Sequence, residues 1–352
     1  MIRGLRARAG ALAALALARA ALADGGPAPV DPAAKRAAGA SASEYWDLVA
    51  SLEGGVCVTA RFTIVDDGAG GRSAAAFGHV LRPDAPPAAF RNGRREGRWR
   101  LSPDGRRIEI GSSLLALPDS ARHFEVDNDK RGVKLFLDWS ADTSARSVPA
   151  SALPAAYAVD LLQLASPVRA SIQVPGMASP VRLPGTLSLI HTSMSVAEDE
   201  RVLRRIDVTS TEPGSGTYFL DLLGPAGERF SWLSVTADGA PALTRSGLDP
   251  RFESTGGEST YPIPSGLVIE RGGVRGRITL KAPRLEVDPL TALPAPLRMV
   301  YSLRSRPHRS WAGSSYELTW VPGPEHPDVR VAGDAIAAFS FLGTLPPDEI
   351  RP

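Results

Sequence analysis

Apolar and polar residues alternate along most of this chain, a pattern typical of strands with one buried face. The clearest case runs from Val56 to Val65, where every second residue from Val56 to Ile64 is apolar. The same period recurs in three later sets of residues: Val133, Leu135, Leu137 and Trp139; Val202, Arg204, Ile206 and Val208; and Tyr316, Leu318 and Trp320.

Short turn sequences separate these segments. Ser102-Pro103-Asp104-Gly105 lies between predicted strands at 99–101 and 106–110, and Pro, Asp and Gly each favour a tight turn. Gly224-Pro225-Ala226-Gly227 and Gly272-Gly273 stand between two further pairs of runs, so each pair predicts a hairpin.

No segment has a clear helical period, although Tyr157–Leu164 leaves a helix open. Regular short strands predict an all-β protein, with two antiparallel β-barrels in tandem. The Pro- and Ala-rich stretch Ser147–Ala156 is the best internal break. We therefore expect one domain at 44–150, a second at 151–331, and a tail at 332–352 in which Ile336–Leu342 could dock on the body.

The N-terminal 23 residues have the pattern of a secretory signal: early arginines, an Ala- and Leu-rich run, and small residues at Ala21 and Ala23. An Ala-rich amphipathic helix is the other interpretation, and Arg19 inside the apolar run favours it. Residues 24–43 are rich in Ala, Gly, Pro and Ser and are expected to be a flexible lead-in. The signal predicts a periplasmic or secreted protein.

Composition limits the classes of function. Hydrophobic residues make up 43% of the chain, enough for proper cores, and the single cysteine, Cys57, allows no internal disulfide. The net charge of +2 becomes −2 if the leader and its four arginines are removed. The basic balance therefore belongs to the leader and gives no reason to expect nucleic-acid binding.

The chain resembles a superfamily of tandem lipocalin-like proteins that includes AttH-type proteins, fungal survival-factor proteins and carotenoid 1,2-hydratases (hydroxyneurosporene synthase-like proteins). The resemblance covers roughly residues 44–330 and lies in these segments: Glu44-Tyr45-Trp46, Thr59-Ala60-Arg61-Phe62, Gly78-His79, Phe90-Arg91-Asn92-Gly93, and Leu183-Pro184-Gly185-Thr186-Leu187-Ser188-Leu189-Ile190-His191.

The resemblance implies two calycin-type barrels that bind lipid-like or isoprenoid molecules, and AttH-type members imply an accessory role beside an ABC-type export transporter. Hydratase-like members carry an Asp-His pair, whereas this chain has Ile190 before His191. Isoleucine cannot donate a proton, so the resemblance gives no acid for hydration. The nearby acids 198–200 are expected to form a solvated turn.

Three sets of residues are candidates for a ligand site. His191 is either a polar group or proton donor in a cavity, or a hydrogen-bonded histidine at a strand end. Arg91, Arg94 and Arg95 belong to a basic cluster that either holds an acidic head group or is a solvated turn. Trp99 and Trp232 are the tryptophans that we expect to line a pocket.

The sequence predicts no metal site and no cofactor, because no metal-binding histidine spacing and no nucleotide-binding motif appears. The predicted function is binding of a hydrophobic ligand by an exported lipocalin-like protein, with a role as a transporter accessory left open. The alternative is an enzyme that acts on isoprenoid or polyene substrates by acid catalysis.

Overall fold

The computed structural model describes residues 30–36, 39, 41–66, 71–141, 145–214, 216–237, 240–253, 261–289, 307–321, 328–343 and 345. The predicted signal at 1–23 lies outside these residues. Two antiparallel sheets dominate the fold, which confirms the all-β prediction. Within the described ranges, no helix is long and apolar enough to cross a membrane.

The first sheet is a nearly closed barrel, called barrel 1 below. Its strands are β1 (Ser43–Leu52), β2 (Val56–Asp66), β3 (Arg72–Arg82), β4 (Ala85–Arg94), β5 (Trp99–Leu101), β6 (Arg107–Ile110), β7 (Ser113–Ala116), β8 (Ala121–Asn128), β9 (Val133–Ser140), β10 (Arg146–Ser147), β11 (Tyr157–Gln173) and β12 (Val181–Met194). Their order is β4-β3-β2-β1-β12-β11-β9-β8-β7-β6-β5, with β10 beside β11.

Side-chain hydrogen bonds cross the gap between the two ends of this strand order. Asn92 Nδ2 on β4 donates to Ser113 Oγ on β7 at 2.6 Å. Trp99 Nε1 on β5 donates to the Arg72 carbonyl at the start of β3 at 3.1 Å. These bonds stabilise the barrel where backbone pairing is interrupted.

The second sheet forms a half-barrel, called sheet 2 below. Its strands are β13 (Arg204–Ser210), β14 (Thr217–Leu223), β15 (Arg229–Ala237), β16 (Ala240–Ser246), β17 (Arg251–Glu253), β18 (Gly266–Arg271), β19 (Val274–Val287), β20 (His308–Trp320) and β21 (Val329–Phe341). Their order is β16-β15-β14-β13-β21-β20-β19-β18-β17.

Each sheet encloses its own apolar core. Val58, Ala60, Phe62 and Ile64 of β2 are buried in barrel 1, which confirms the face predicted from alternation. Tyr316, Leu318 and Trp320 of β20 are buried in sheet 2. The outer faces of the two sheets pack together through a third group of buried residues, in which β1, β11 and β12 meet β14 and β15.

The hairpins are also as predicted. Strand β5 turns through Ser102–Gly105 into β6, and Gly105 has the left-handed φ of 74° that favours glycine. The Gly224–Gly227 turn joins β14 to β15, and Gly272-Gly273 joins β18 to β19. Tyr157–Leu164, where the pattern left a helix open, is part of strand β11.

The passage between sheets lies further along the chain than the predicted domain boundary at 150/151. Strands β11 and β12 pair with β9 and β1, so both belong to barrel 1. The chain leaves barrel 1 after Met194 and enters sheet 2 at Arg204. The Pro- and Ala-rich stretch marks the crossing from β9 to β11 inside barrel 1, not the passage to sheet 2.

The predicted tail also needs correction. Residues 329–341 form β21, which pairs with β13 on one side and with β20 on the other. Ala335 and Ala337 face the core together with Phe339. Small residues give a weak hydrophobic pattern, although they suit a central strand that packs closely on both sides.

Candidate functional site

Three strands of barrel 1 bring polar residues together at one end of its interior. The register places His191 on β12 opposite Trp46 on β1 and opposite Asp160 on β11. Glu44 and Trp46 are two residues apart on β1, so both point to the same side of the sheet. The group formed by Glu44, Trp46, Asp160 and His191 is called the His191 cluster below.

His191 is completely buried and is held by both a hydrogen bond to a carboxylate and a ring stack. Its Nε2 lies 2.7 Å from Glu44 Oε1, and its Nδ1 lies 3.7 Å from Asp160 Oδ2. The imidazole stacks on the Trp46 indole with ring centroids 4.5 Å apart and planes 4° from parallel. With Glu44 ionised, Nε2 must be the donor, because a carboxylate oxygen only accepts.

Both carboxylates of the cluster are buried, and other chain segments satisfy them. Glu44 accepts backbone N–H groups from Lys35 at 2.5 Å and from Arg36 at 3.1 Å. Asp160 accepts from Ser147 Oγ at 2.5 Å and pairs with Lys35 Nζ at 2.5 Å. A buried carboxylate needs such partners, since an uncompensated charge in the interior is very costly.

Two ring nitrogens of the cluster have no hydrogen-bond partner among the described residues: Trp46 Nε1 and His191 Nδ1. Buried polar groups are nearly always paired, with protein or with ordered water. The end of the barrel therefore has unused hydrogen-bonding capacity beside two carboxylates. Within the described chain, no group of three His, Cys, Asp or Glu residues is arranged to hold a metal ion.

In the sequence, the residue before His191 is Ile190, which is not an acid. The structure places Ile190 on the opposite face of β12, in the apolar contact between the two sheets. The acids near His191 come instead from neighbouring strands. Two signals could have indicated them: Glu44 belongs to a segment of the family resemblance, and Asp160 interrupts the apolar run of β11.

A second polar cluster lies between the sheets. Tyr45 and Tyr157 both donate to Glu198 Oε1, at 2.5 and 2.8 Å. Arg205 Nη1 from β13 donates to both phenol oxygens at 2.9 Å. Burial raises the pKa of Tyr45 and of Tyr157, so both remain phenols that can donate.

The second cluster corrects the expectation for 198–200. Glu198 is half-buried and receives two tyrosine hydrogen bonds, whereas a purely solvated turn would leave it free. Arg205 is further paired with Asp207 at 2.7 and 2.8 Å, and Asp207 accepts from Tyr218 at 2.6 Å. Each of these groups has a partner, so the cluster joins barrel 1 to sheet 2.

Among the described residues, the neighbours of the predicted arginines are not members of the His191 cluster. The Arg91 carbonyl accepts from Asn128 at 3.4 Å, and burial, together with the nearby Arg131, lowers the Arg91 pKa. Arg94 is exposed and lies beside Gly111, and Arg95 is exposed.

The predicted tryptophans are packed in different places. Trp99 is half-buried against the core of barrel 1. Trp232 is buried between the sheets, with its ring centroid 6.0 Å from that of Tyr218. Of the predicted residues, His191 is the one that the structure brings together with buried ionisable groups.

Burial raises the pKa of the Cys57 thiol to about 12, which favours the neutral thiol. Cys57 packs with Leu81 and Trp311 in a small apolar contact between the sheets. It is a core residue.

No protein-family model matches the sequence, and no curated protein matches it. Solved structures do. The crystal structure of a Nitrosomonas europaea protein assigned as an AttH superposes on this chain with a TM-score of 0.63 at 13% identity. The match covers 90% of this chain and 99% of that one.

Two further solved structures match over most of their length. CghA with Sch210972 gives a TM-score of 0.58 at 12% identity, over 86% of this chain and 89% of that one. Kievitone hydratase from Nectria haematococca gives 0.54 at 8% identity, over 89% and 93%. The chain therefore has the fold of the AttH-type, lipocalin-like structures, as its resemblance implied.

Proposed function

We propose that this protein binds a small, largely apolar molecule at the end of barrel 1, with a polar group of the ligand in the His191 cluster. The observation that carries the proposal is the pair of buried, unpartnered nitrogens, Trp46 Nε1 and His191 Nδ1, beside two buried carboxylates. A ligand that reached them would satisfy atoms that the described protein leaves unpaired.

Two further considerations support binding at this place. The interior next to the cluster is apolar, and each ligand CH₂ buried there would contribute roughly 0.8 kcal/mol. Ligand sites typically combine apolar walls with a few polar groups, and barrel mouths are a common location. CghA, a structural neighbour, was crystallised with the compound Sch210972.

The test is displacement of a fluorescent long-chain probe, together with native mass spectrometry of the purified protein. We expect His191→Ala to weaken probe binding by about tenfold or more, because a buried hydrogen-bonding group is lost. His123→Ala is the matched control, since that histidine pairs with Asp138 at 2.7 Å on the outer side of barrel 1. Equal affinity in wild type and His191→Ala would refute the proposal.

Acid–base catalysis is the second candidate function, and the acids around His191 favour it. Hydration of an alkene needs a proton delivered to one carbon, water added to the resulting cation, and a proton returned to the base. Glu44 and Asp160 offer the carboxyl groups that Ile190 cannot. The structural neighbour from Nectria haematococca is named a hydratase.

Incubation with an acyclic isoprenoid tests this candidate. A product heavier by one water molecule, detected by liquid chromatography and mass spectrometry, would support it. Glu44→Gln and Asp160→Asn should then abolish the product. Unchanged substrate after long incubation with folded protein would leave ligand binding as the function.

Export remains part of the proposal and rests on the signal-like residues 1–23. Intact-mass analysis of protein recovered from a bacterial periplasm should show cleavage before Asp24. A full-length cytosolic product would contradict export. The proposed partner, an ABC-type export transporter, should be captured by cross-linking in the membrane fraction of the native host.

A further inference from the structure

The segment Val30–Arg36, called the strap below, runs across the end of barrel 1. Ala34 N donates to the Gly105 carbonyl at 2.9 Å, and the Asp31 carboxylate pairs with Arg106 at 3.1 Å. Val30 and Ala34 pack against the apolar core of the barrel. Part of the stretch that the sequence predicted as a flexible lead-in is therefore docked on the turn between β5 and β6.

Lys35 of the strap supplies a cation to the His191 cluster. Its Nζ is 2.5 Å from Asp160 Oδ2, and its backbone N–H contacts Glu44. The Lys35 side chain is 40% exposed, whereas Asp160 is 2% exposed. The ammonium thus lies between solvent and a buried carboxylate, in a position that a molecule arriving from solvent can reach once Lys35 moves.

Displacement of the strap would leave a site with a defined chemical preference. Asp160 would keep Ser147, and Glu44 would keep His191, but the ammonium and two backbone donors would be lost. Two largely buried carboxylates at the barrel end then favour a positive partner, because burying an uncompensated charge is unfavourable. A ligand with a carboxylate head group would add a third negative charge and be repelled.

We propose that the end of barrel 1 binds small molecules that carry a protonated amine on an apolar body, and that Lys35 is an internal competitor in the amine position. This inference rests on the proposed function, because it names the ligand class of the same site. The unpartnered Nδ1 of His191, which can accept from an ammonium when Nε2 carries the proton, is the independent sign that the site accepts more than the strap provides.

The inference predicts how affinity depends on Lys35. A tethered group that occupies the site lowers the fraction of binding-competent protein, and the apparent affinity falls by that fraction. Lys35→Met removes the charge and keeps most of the side-chain length. Amine ligands should gain affinity in this variant, whereas uncharged ligands of the same length should not.

Isothermal titration with dodecylamine and dodecanoate below their micelle concentrations, and with dodecanol below its solubility limit, measures this. We expect Lys35→Met to bind dodecylamine about tenfold more tightly than wild type, with dodecanol changed by less than about threefold. Adding Asp160→Asn to Lys35→Met should remove the gain. Lys35→Arg, which keeps the cation, should behave like wild type and shows that changes in the strap are tolerated.

The outcomes separate the two proposals. Binding of dodecanol and dodecylamine with equal affinity in every variant would overturn the amine preference and leave the apolar ligand site standing. If Lys35→Met bound all three ligands more tightly than wild type, the strap would only block the site sterically. That result would also overturn the amine preference. Failure of every ligand to bind any folded variant would remove the proposed function itself.

Discussion

Asp47 on β1 of barrel 1 and Arg309 on β20 of sheet 2 form a buried ion pair, with Asp47 Oδ2 3.0 Å from Arg309 Nη2. Arg61 on β2 contacts the same carboxylate at 2.6 and 2.7 Å. Burial alone would raise the Asp47 pKa, but the charges of Arg309 and Arg61 outweigh it and hold the pKa below its ordinary value. One carboxylate therefore joins the two sheets.

Replacement of this carboxylate should be strongly destabilising. Asp47→Asn leaves two buried guanidinium groups without their counter-charge, and we expect the free energy of unfolding to fall by about 3 kcal/mol or more. Urea denaturation followed by tryptophan fluorescence measures it. Glu270→Gln is the control, because the Glu270–Arg251 pair is exposed and should change stability by no more than about 1 kcal/mol. Similar effects of both changes would show that the inter-sheet pair contributes little.

Asp47 also predicts how stability depends on pH. Its folded-state pKa lies below the unfolded value of about 3.9, so its contribution is fully present above that pH and is lost as the pH falls toward the folded pKa. The unfolding free energy of the wild type should therefore drop more steeply between about pH 5 and about pH 3 than that of Asp47→Asn. If the unfolding free energies of the two proteins fell in parallel with pH, groups other than Asp47 would cause the loss of stability in acid.

Two glycines of adjacent strands test how closely barrel 1 is packed. A Cβ added at Gly78 would lie 2.1 Å from the Thr59 carbonyl oxygen and 2.9 Å from Ala60 Cα. Gly78→Ala should therefore lower the free energy of unfolding by about 1–3 kcal/mol. Gly93→Ala on β4 has no atom within 4 Å of the new Cβ and should stay within about 0.5 kcal/mol of wild type. Equal thermal midpoints for the two variants would contradict the close approach of β2 and β3.

The strands and turns that were predicted correctly are those that depend on residues close together in the chain. The alternation of Val56–Val65 and the turn at Gly272-Gly273 depend on neighbours in the chain, and both appear as predicted. Strand β21 was missed because its central residues are mostly Gly and Ala, whose burial depends on partners in β13 and β20. Membership of β11 in barrel 1 likewise depends on pairing with β9 and β12.

The candidate site was only partly predictable for the same reason. His191 was singled out from the chain, but its partner Glu44 is 147 residues away. That contact follows from the register between β1 and β12, which alternation does not specify. Lys35 lies in the stretch predicted to be a flexible lead-in, and nothing local in the sequence shows that it contacts Asp160.

The arginines at the end of β4 and just after it, Arg91, Arg94 and Arg95, were predicted to be either a head-group site or a solvated turn. Arg94 and Arg95 are exposed, and Arg91 contacts Asn128 through its backbone carbonyl. We therefore expect Arg91→Glu with Arg95→Glu to leave binding of dodecylamine and dodecanol within about threefold of wild type, since the exposed Arg95 is strongly screened and Arg91 is only partly buried. The titrations should be repeated with dodecanoate at low and high salt. A selective loss of dodecanoate binding that weakens with salt would place an acidic head group at this cluster. Equal losses for all three ligands, with a lower thermal midpoint, would instead mean that the double change damages barrel 1 where β4 meets β7.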